Sequence, residues 1–240
     1  MKTCLASLLR LIVVCLLISP AFAEGDWHYR LTPYAWVPSL IADLDIGPNP
    51  PAESDTSLWD VLDFAFLLTG EAHNGDWGLI GEFNYLALSN DATYAGGRFG
   101  AETSVNGNMI GMALQKRVHS SKNGNADAFV GLRHWSLDAE IDFDRLPTAK
   151  RSIGFTDPIL GIKGIRNINE KWFVSGLAEI GGFGIGSDLQ WELVARAGYR
   201  FSDAWNAAVG YRHLVLDFDD DNLVMKATMT GPFLAVDFTW

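Results

Sequence analysis

The stretch Gly231-Pro-Phe-Leu-Ala-Val-Asp-Phe-Thr-Trp240 decides the fold. Side chains of a strand alternate between its two faces, so Leu234, Val236, Phe238 and Trp240 share one face, with Ala235, Asp237 and Thr239 on the other. Soluble chains tend to finish in a few polar, frayed residues. A last strand that alternates up to a terminal aromatic is what a closed membrane barrel needs, both to seal its seam and to anchor at the interface. The expectation is therefore a closing strand in a lipid-facing wall.

The other end of the sequence reads as an address. Lys2 and Arg10 accompany an apolar run over 11–18, Pro20 breaks it, and Ala21-Phe22-Ala23 offers the small-x-small site of a signal peptidase. The run is shorter than the ~20 residues of a spanning helix. This predicts a cleaved signal peptide over 1–23 and a single barrel domain over 24–240. Both cysteines, Cys4 and Cys15, lie in the removed segment, so the exported domain closes without disulfides although its compartment permits them. Loss of Lys2 and Arg10 takes the net charge from -11 to -13, which excludes nucleic acid as a partner. With 48% hydrophobic residues, 24 glycines and no later run of membrane-helix length, two outlets remain: a soluble all-β domain, or a barrel whose membrane signal is spread over many alternating strands.

Taken in order, the sequence predicts ten strands. The first, 27–36, is aromatic and carries Pro33; the segment 38–64 after it is rich in proline and acids. Within that segment Leu58, Val61, Leu62, Ala65 and Phe66 have helical spacing behind a Ser57/Asp60 capping pair, so a short helix at the mouth competes with an early start of the second strand. The remaining strands are expected at 67–74, 77–88, within 101–118, 126–142, 153–166, 172–183, 189–201, 205–217 and from about Leu223. Their connectors sort into two kinds. Tight turns, led by Asn74-Gly75-Asp76, alternate with longer, often acidic loops at 89–100, 143–152 and 218–222. The pattern is that of an all-β, up-and-down antiparallel transmembrane β-barrel with both ends on the periplasmic side. Trp27, Trp77, Trp172, Trp205 and Trp240 all fall at the tight-turn end, as an interfacial aromatic girdle would.

Charges decide which face points inward. In 189–201 the apolar positions Trp191, Leu193, Ala195, Ala197, Tyr199 and Phe201 oppose Glu192, Arg196, Gly198 and Arg200. An Arg facing lipid near the midplane costs about 2–4 kcal/mol, so the charged face belongs to the lumen. Gly131-x-Arg133, Gly161-x-Lys163 and Gly210-x-Arg212 repeat the arrangement, with glycine giving backbone space beside long side chains. Glu71, Glu82, Glu179 and Asp237 fall on the same face. The expected lumen charge network is thus Glu71, Glu82, Arg133, Lys163, Glu179, Arg196, Arg200, Arg212 and Asp237. Gly198-Tyr-Arg-Phe-Ser-Asp-Ala-Trp205 also echoes Gly164-Ile-Arg-Asn-Ile-Asn-Glu-Lys-Trp172, a hairpin repeat that suits a meander.

Several stretches are similar to a known group: Tyr29-x-Leu31-x-Pro33-Tyr34-x-Trp36, Leu62-Asp-Phe-Ala-Phe66, Gly131-Leu-Arg-x-Trp135, Gly181-Gly-Phe-Gly-x-Gly-Ser-Asp188, Gly198-Tyr-Arg-Phe-Ser-Asp203 and Gly210-Tyr-Arg212 with Asp217-x-Asp-Asp-Asp221. They resemble small, largely uncharacterised Gram-negative outer-membrane β-barrel proteins, akin to the opacity-protein and outer-membrane-protein-A-like barrels. The resemblance spans almost the whole exported chain. It implies an outer-membrane barrel, with eight strands as the alternative to ten, and it brings no catalytic residues.

Chemistry is sparse. The histidines His28, His73, His119, His134 and His213 show no metal-ligand spacing and have no cysteine to join them; His73 and His119 fall near tight turns and are expected to be solvated. His134-Trp-Ser136, with Asp138 and Glu140 on the same face, holds the residue types of acyl-ester hydrolysis and resembles the arrangement in outer-membrane lipid A deacylases. Same-face neighbours on a strand stand about 7 Å apart, and Gly210-Tyr-Arg-His213 repeats the pattern without the serine. Asp217, Asp219, Asp220 and Asp221 lack the spacing of a calcium loop, and Gly181-Gly-Phe-Gly-Ile-Gly186 lacks the Lys and the helix of a phosphate loop. No metal or cofactor is expected. The sequence thus points to a non-enzymatic, porin-like integral protein of the Gram-negative outer membrane, with a structural or surface-interaction role and a side-chain-filled lumen. Its expected partners are outer-membrane lipid and lipopolysaccharide, and the barrel-assembly machinery through the C-terminal strand. The alternatives are a small-solute channel, a lipid A-type acyl hydrolase using His134 and Ser136, and a soluble barrel of lipocalin type.

Overall fold

Every described element is a strand, and every strand pairs antiparallel with its neighbours. The computed structural model describes residues 27–45, 52–57, 62–94, 99–143, 149–220 and 223–240; the predicted signal peptide lies outside them. The strands are β1 (His28–Trp36), β2 (Ser39–Asp45), β3 (Ala52–Ser57), β4 (Leu62–His73), β5 (Trp77–Tyr94), β6 (Phe99–Ser121), β7 (Gly124–Phe143), β8 (Ala149–Asn167), β9 (Trp172–Gly182), β10 (Leu189–Arg200), β11 (Trp205–Asp220) and β12 (Leu223–Thr239).

The sheet closes as a barrel of ten staves. β4 to β12 follow one another around the wall, and β1 pairs with both β4 and β12. Closure is direct: Leu31 faces Phe238, Tyr34 faces Ala235, and Tyr29 and Trp240 exchange backbone bonds of 3.0 and 3.2 Å. β2 continues the line of β1 along β12, where Ala42 faces Ala227, and β3 pairs with β2. A Cβ on Gly231 of β12 would stand 2.1 Å from the Val37 carbonyl oxygen, so the step between β1 and β2 requires glycine opposite it.

One open choice is decided here and two sequence expectations are corrected. Leu62, Ala65 and Phe66 belong to β4 rather than to a helix at the mouth, because Leu62 finds a ladder partner in Leu88; residues 58–61 of that expectation lie outside the described residues. The expected loop 89–100 is mostly strand, β5 pairing with β6 out to Tyr94 and Phe99. The acidic run is likewise not a loop. Asp217, Asp219 and Asp220 lie on β11, in register with Lys226, Val224 and Leu223 of β12, and Asp221 lies outside the described residues. Ladder pairing outweighed helical spacing in the first case and local polarity in the other two, a tertiary effect that composition does not carry.

The tight turns explain why tryptophan recurs at one end. The side-chain oxygens of Asn74, Asn169 and Ser202 accept the backbone N–H of Trp77, Trp172 and Trp205, each three residues on, at 3.0, 2.8 and 3.1 Å. Such side-chain turns satisfy a backbone donor at the strand start. The indoles then join neighbouring aromatics: Trp205 meets Phe238 at 4.7 Å, Phe238 meets Trp240 at 5.1 Å, Trp240 meets Tyr29 at 5.5 Å, and Trp172 meets Tyr199 at 5.0 Å. Above this level the outer wall is apolar and exposed, with Met112 at 67%, Ile162 and Val209 at 61% and Leu132 at 58%. No soluble protein leaves so continuous an apolar girdle to water; a hydrocarbon surround is the environment that suits it.

Inside, glycine is paired with phenylalanine across strands. Phe129, Phe173 and Phe233 stand opposite Gly161, Gly198 and Gly210, and a Cβ on those glycines would come 2.4, 2.1 and 2.5 Å from the ring's Cζ. The space credited to long cationic side chains is thus taken mainly by aromatic rings. Gly198→Ala should lower unfolding stability by about 1–3 kcal/mol through overpacking, and Phe173→Leu in the same chain should recover part of the loss. Urea titration of the folded, heat-modifiable band on gels checks both; equal stability of Gly198→Ala and wild type would refute the packing account.

Candidate functional site: the lumen

Strand parity sends Arg30, Thr32, Tyr34 and Trp36 of β1, Glu82 and Asn84 of β5, and Arg133 and Trp135 of β7 to the interior. Along the barrel axis the contents form tiers. Nearest the tight turns, Arg200 lies over Phe173 at 4.8 Å and donates to Asn167. Asp237 accepts from Arg196 at 3.0 Å and from Thr32 at 2.7 Å through the same oxygen. Glu71 takes both Arg30 at 2.8 Å and Lys163 at 2.5 Å, and Arg117 pairs with Asp127.

At mid-height four residues close a cycle. Arg133 reaches Glu82 at 2.9 Å, Glu82 reaches Arg212 at 3.2 Å, Arg212 reaches Glu192 at 3.0 Å, and Glu192 returns to Arg133 at 3.4 Å. Their strands are β5, β7, β10 and β11, so the cycle spans the lumen. Glu179 adds to Arg133 at 2.5 Å, while the Tyr34 hydroxyl accepts from Arg212 and donates to Asn84 at 2.8 Å. Both arginine side chains are almost wholly shielded from solvent. Two guanidiniums fit this role because each offers five donors in a planar fork, enough to serve two carboxylates at once. Between the cycle and the turn end lies a cavity of about 190 Å³, bordered by Arg30, Glu71, Lys163 and Arg196 and by the apolar Ile80 and Phe129.

Beyond the cycle, toward the longer loops, the lumen turns apolar. Trp36, Leu67, Met109, Trp135, Phe155, Leu214, Leu216 and Phe218 form one buried cluster. Phe155 and Phe218 stack at 4.6 Å, and the Trp135 indole donates to Gln190 at 3.1 Å. The glycine-rich stretch after β9 folds inward there. Asp157 accepts from the backbone N–H and the hydroxyl of Ser187 at 2.6 and 2.7 Å, and both residues are buried. Phe183 adopts a φ of 56° in that turn, between the left-handed Gly182 and Gly184.

The predicted network residues separate into these tiers. Glu82, Arg133, Glu179 and Arg212 meet at mid-height; Glu71 with Lys163 and Arg196 with Asp237 form separate groups; Arg200 touches no carboxylate among the described residues. Glu192 was read as inward-facing and Tyr34 as part of a resemblance motif, but neither was placed in the network, and Arg30, Arg117, Asp127 and Asp157 were not singled out from sequence. Alternation from Arg196 marks Glu192 as inward-facing, and alternation from Trp36 marks Arg30; nothing local marks Asp157. On the outer wall His134 bonds Thr156 through Nδ1 at 2.9 Å rather than Ser136, and His213 bonds Thr230 at 2.5 Å. His73 is half-buried against His28, their rings 5.4 Å apart, rather than freely solvated.

No protein-family model and no curated protein sequence matches the chain. Solved structures do. The outer membrane protease OmpT from Escherichia coli shares the fold at a TM-score of 0.55 and 9% identity, over 90% of this chain and 98% of that one. The translocator domain of the autotransporter NalP from Neisseria meningitidis aligns at 0.48 and 12%, over 99% and 97%, and the attachment invasion locus protein Ail of Yersinia pestis at 0.38 and 8%, over 90% and 100%. The chain has the fold of the Gram-negative outer-membrane β-barrels, and its apolar outer wall puts it in that membrane.

Removing one cation from the cycle strands its carboxylates. Arg212→Met should cost about 3–5 kcal/mol, the range for breaking a buried ion pair from one side. Adding Glu192→Gln to Arg212→Met should recover part of the loss. Chemical unfolding of the four chains of this double-mutant cycle measures the coupling; strictly additive effects would show that the pair acts independently.

Proposed function

We propose that the protein is a closed, non-enzymatic outer-membrane barrel whose work is done at its surfaces, in contact with lipid and through its loop end, and not by passage of solutes. The observation that carries this reading is the stack of two unlike seals. A solute leaving the cavity must first break the Arg133–Glu82–Arg212–Glu192 cycle and then displace the Trp36, Trp135, Phe155 and Phe218 layer. Charged residues left unpaired in that enclosure would each carry a penalty of several kcal/mol, and the aromatic layer offers no replacement partners for a hydrated solute. The partners that fit are outer-membrane lipid, lipopolysaccharide and, through the outward Leu234, Val236 and Phe238 of β12 and the Trp240 that follows them, the barrel-assembly machinery.

A hydrolase is less well supported. His134 is engaged with Thr156, and Asp138, the carboxylate on its own face, is four residues away along the strand. That separation is about 13 Å at 3.3 Å per residue, out of reach for orienting the ring. The 190 Å³ cavity gives the channel reading its one support, since it would serve as the inner vestibule of such a pore.

Planar-bilayer recording of the purified protein separates these readings. The closed barrel shows no stable conductance, whereas Trp36→Ala with Trp135→Ala should raise the frequency of brief openings. A stable conductance of the wild type would overturn the proposal in favour of a channel. Mass spectrometry of lipid A from cells carrying wild type or His134→Ala should give the same acyl pattern; a shift would favour the hydrolase.

A further inference from the structure

Two eight-residue segments, Gly131-Leu-Arg-His-Trp-Ser-Leu-Asp138 on β7 and Gly210-Tyr-Arg-His-Leu-Val-Leu-Asp217 on β11, agree at the glycine, arginine, histidine, second leucine and aspartate. Alternation sends their members to opposite sides of the wall. The inward ones build the lumen: Arg133 and Arg212 join the ion-pair cycle, while Trp135, Leu214 and Leu216 join the apolar layer. The outward ones, His134 with Asp138 and His213 with Asp217, serve no part of that interior. Both histidines nonetheless do the same thing, each bonding a threonine on the next strand through Nδ1. When the threonine hydroxyl donates to Nδ1, the ring proton is held on Nε2, the nitrogen on the far side of the ring from that bond. The His213 ring also lies 4.7 Å from that of Trp191.

Depth is the second observation. On β7 the outer face changes from Val130 and Leu132, 59% and 58% exposed, to His134 and then Ser136 and Asp138; on β11 it runs from Val209 and Tyr211 to His213, then Val215 beside Trp191 of β10, and on to Asp217. His213 stands eight residues beyond the girdle residue Trp205, as Tyr85 does beyond Trp77. Eight residues of strand tilted by about 40° rise about 20 Å, close to the apolar band of a barrel in a thin outer membrane. His134 therefore sits where hydrocarbon gives way to headgroups, and His213 one outward position inside that edge, beside the interfacial ring of Trp191.

Resting on the reading of a lipid-embedded barrel, we propose that His134 with Thr156, and His213 with Thr230 and Trp191, form two matching sites for the phosphate of a lipid headgroup in the leaflet on the loop side. The phosphate oxygen accepts from Nε2–H, and the threonine fixes the ring for it. Charged groups near these faces among the described residues are Asp138 beyond His134, and Asp217, its partner Lys226 at 3.4 Å and Asp188 beyond His213. The acids and Lys226 stand farther from the apolar band than the histidines, so the ring Nε2–H is the donor placed nearest the hydrocarbon edge.

Native mass spectrometry of the folded protein in maltoside detergent tests this with bis-phosphorylated lipid A, its phosphate-free form and inorganic phosphate as probes. The wild type should retain up to two lipid A molecules, with about a tenfold preference over the phosphate-free lipid. His134→Gln and His213→Gln should each lose one bound lipid, and the double variant should lose the preference. Retention that is unchanged in the double variant, or equal for phosphate-free lipid, would overturn the sites. Displacement by millimolar inorganic phosphate would assign them to the free ion instead. Heat-modifiability of each variant reports an intact barrel, and conductance of the same samples reports the state of the lumen independently of the lipid count.

Discussion

The Arg133–Glu82–Arg212–Glu192 cycle is the constraint on which the interior depends. Four ionised side chains are held away from bulk water by strands that are not all neighbours, β5, β7, β10 and β11. A buried charge is tolerated only when paired and hydrogen-bonded, so all four strands must arrive at one height with the right parity. A slip of one residue on any of them would turn a charge into the hydrocarbon. Such a network is a modest source of stability and a strong source of register, since its misaligned alternatives are costly.

The same parity builds the outer wall. Each inward cation on β7 or β11 has an outward apolar residue before it, Leu132 or Tyr211, and a histidine after it. The repeat of one eight-residue pattern on two strands thus sets lumen chemistry and interface chemistry together. Around the cycle, cross-strand Phe–Gly pairs let rings lie against backbone, which packs them beside the guanidiniums without forcing the wall apart. At the turn end the side-chain oxygens of Asn74, Asn169 and Ser202 fix where each upward strand begins and so where its tryptophan stands.

Much of this was legible in the residues. The inward placement of Arg133, Arg196 and Arg212 follows from the penalty of a lipid-facing arginine, and the ten-stave count follows from regular turns at one end. The loop end was less legible. Loops expected at 89–100 and 218–222 are largely paired strand, because a ladder partner stabilises polar sequence that has little strand preference of its own, and the choice at Leu62 between helix and strand was settled only by its partner Leu88. Glu192 carried a readable parity yet no sign of its partners, and Asp157 gave no local sign that it would clasp Ser187 thirty residues on.

By itself the sequence determined which face of each strand meets lipid, where the tight turns fall and which residues line the interior, because a period of two is a local property of the chain. Only the tertiary structure decided which charges meet, that phenylalanine rings fill the space left by glycine, and that an apolar tier lies beyond the ionic one. The physical reason is that contacts across a lumen depend on the shear and tilt that close the barrel, and those are set by all ten staves together.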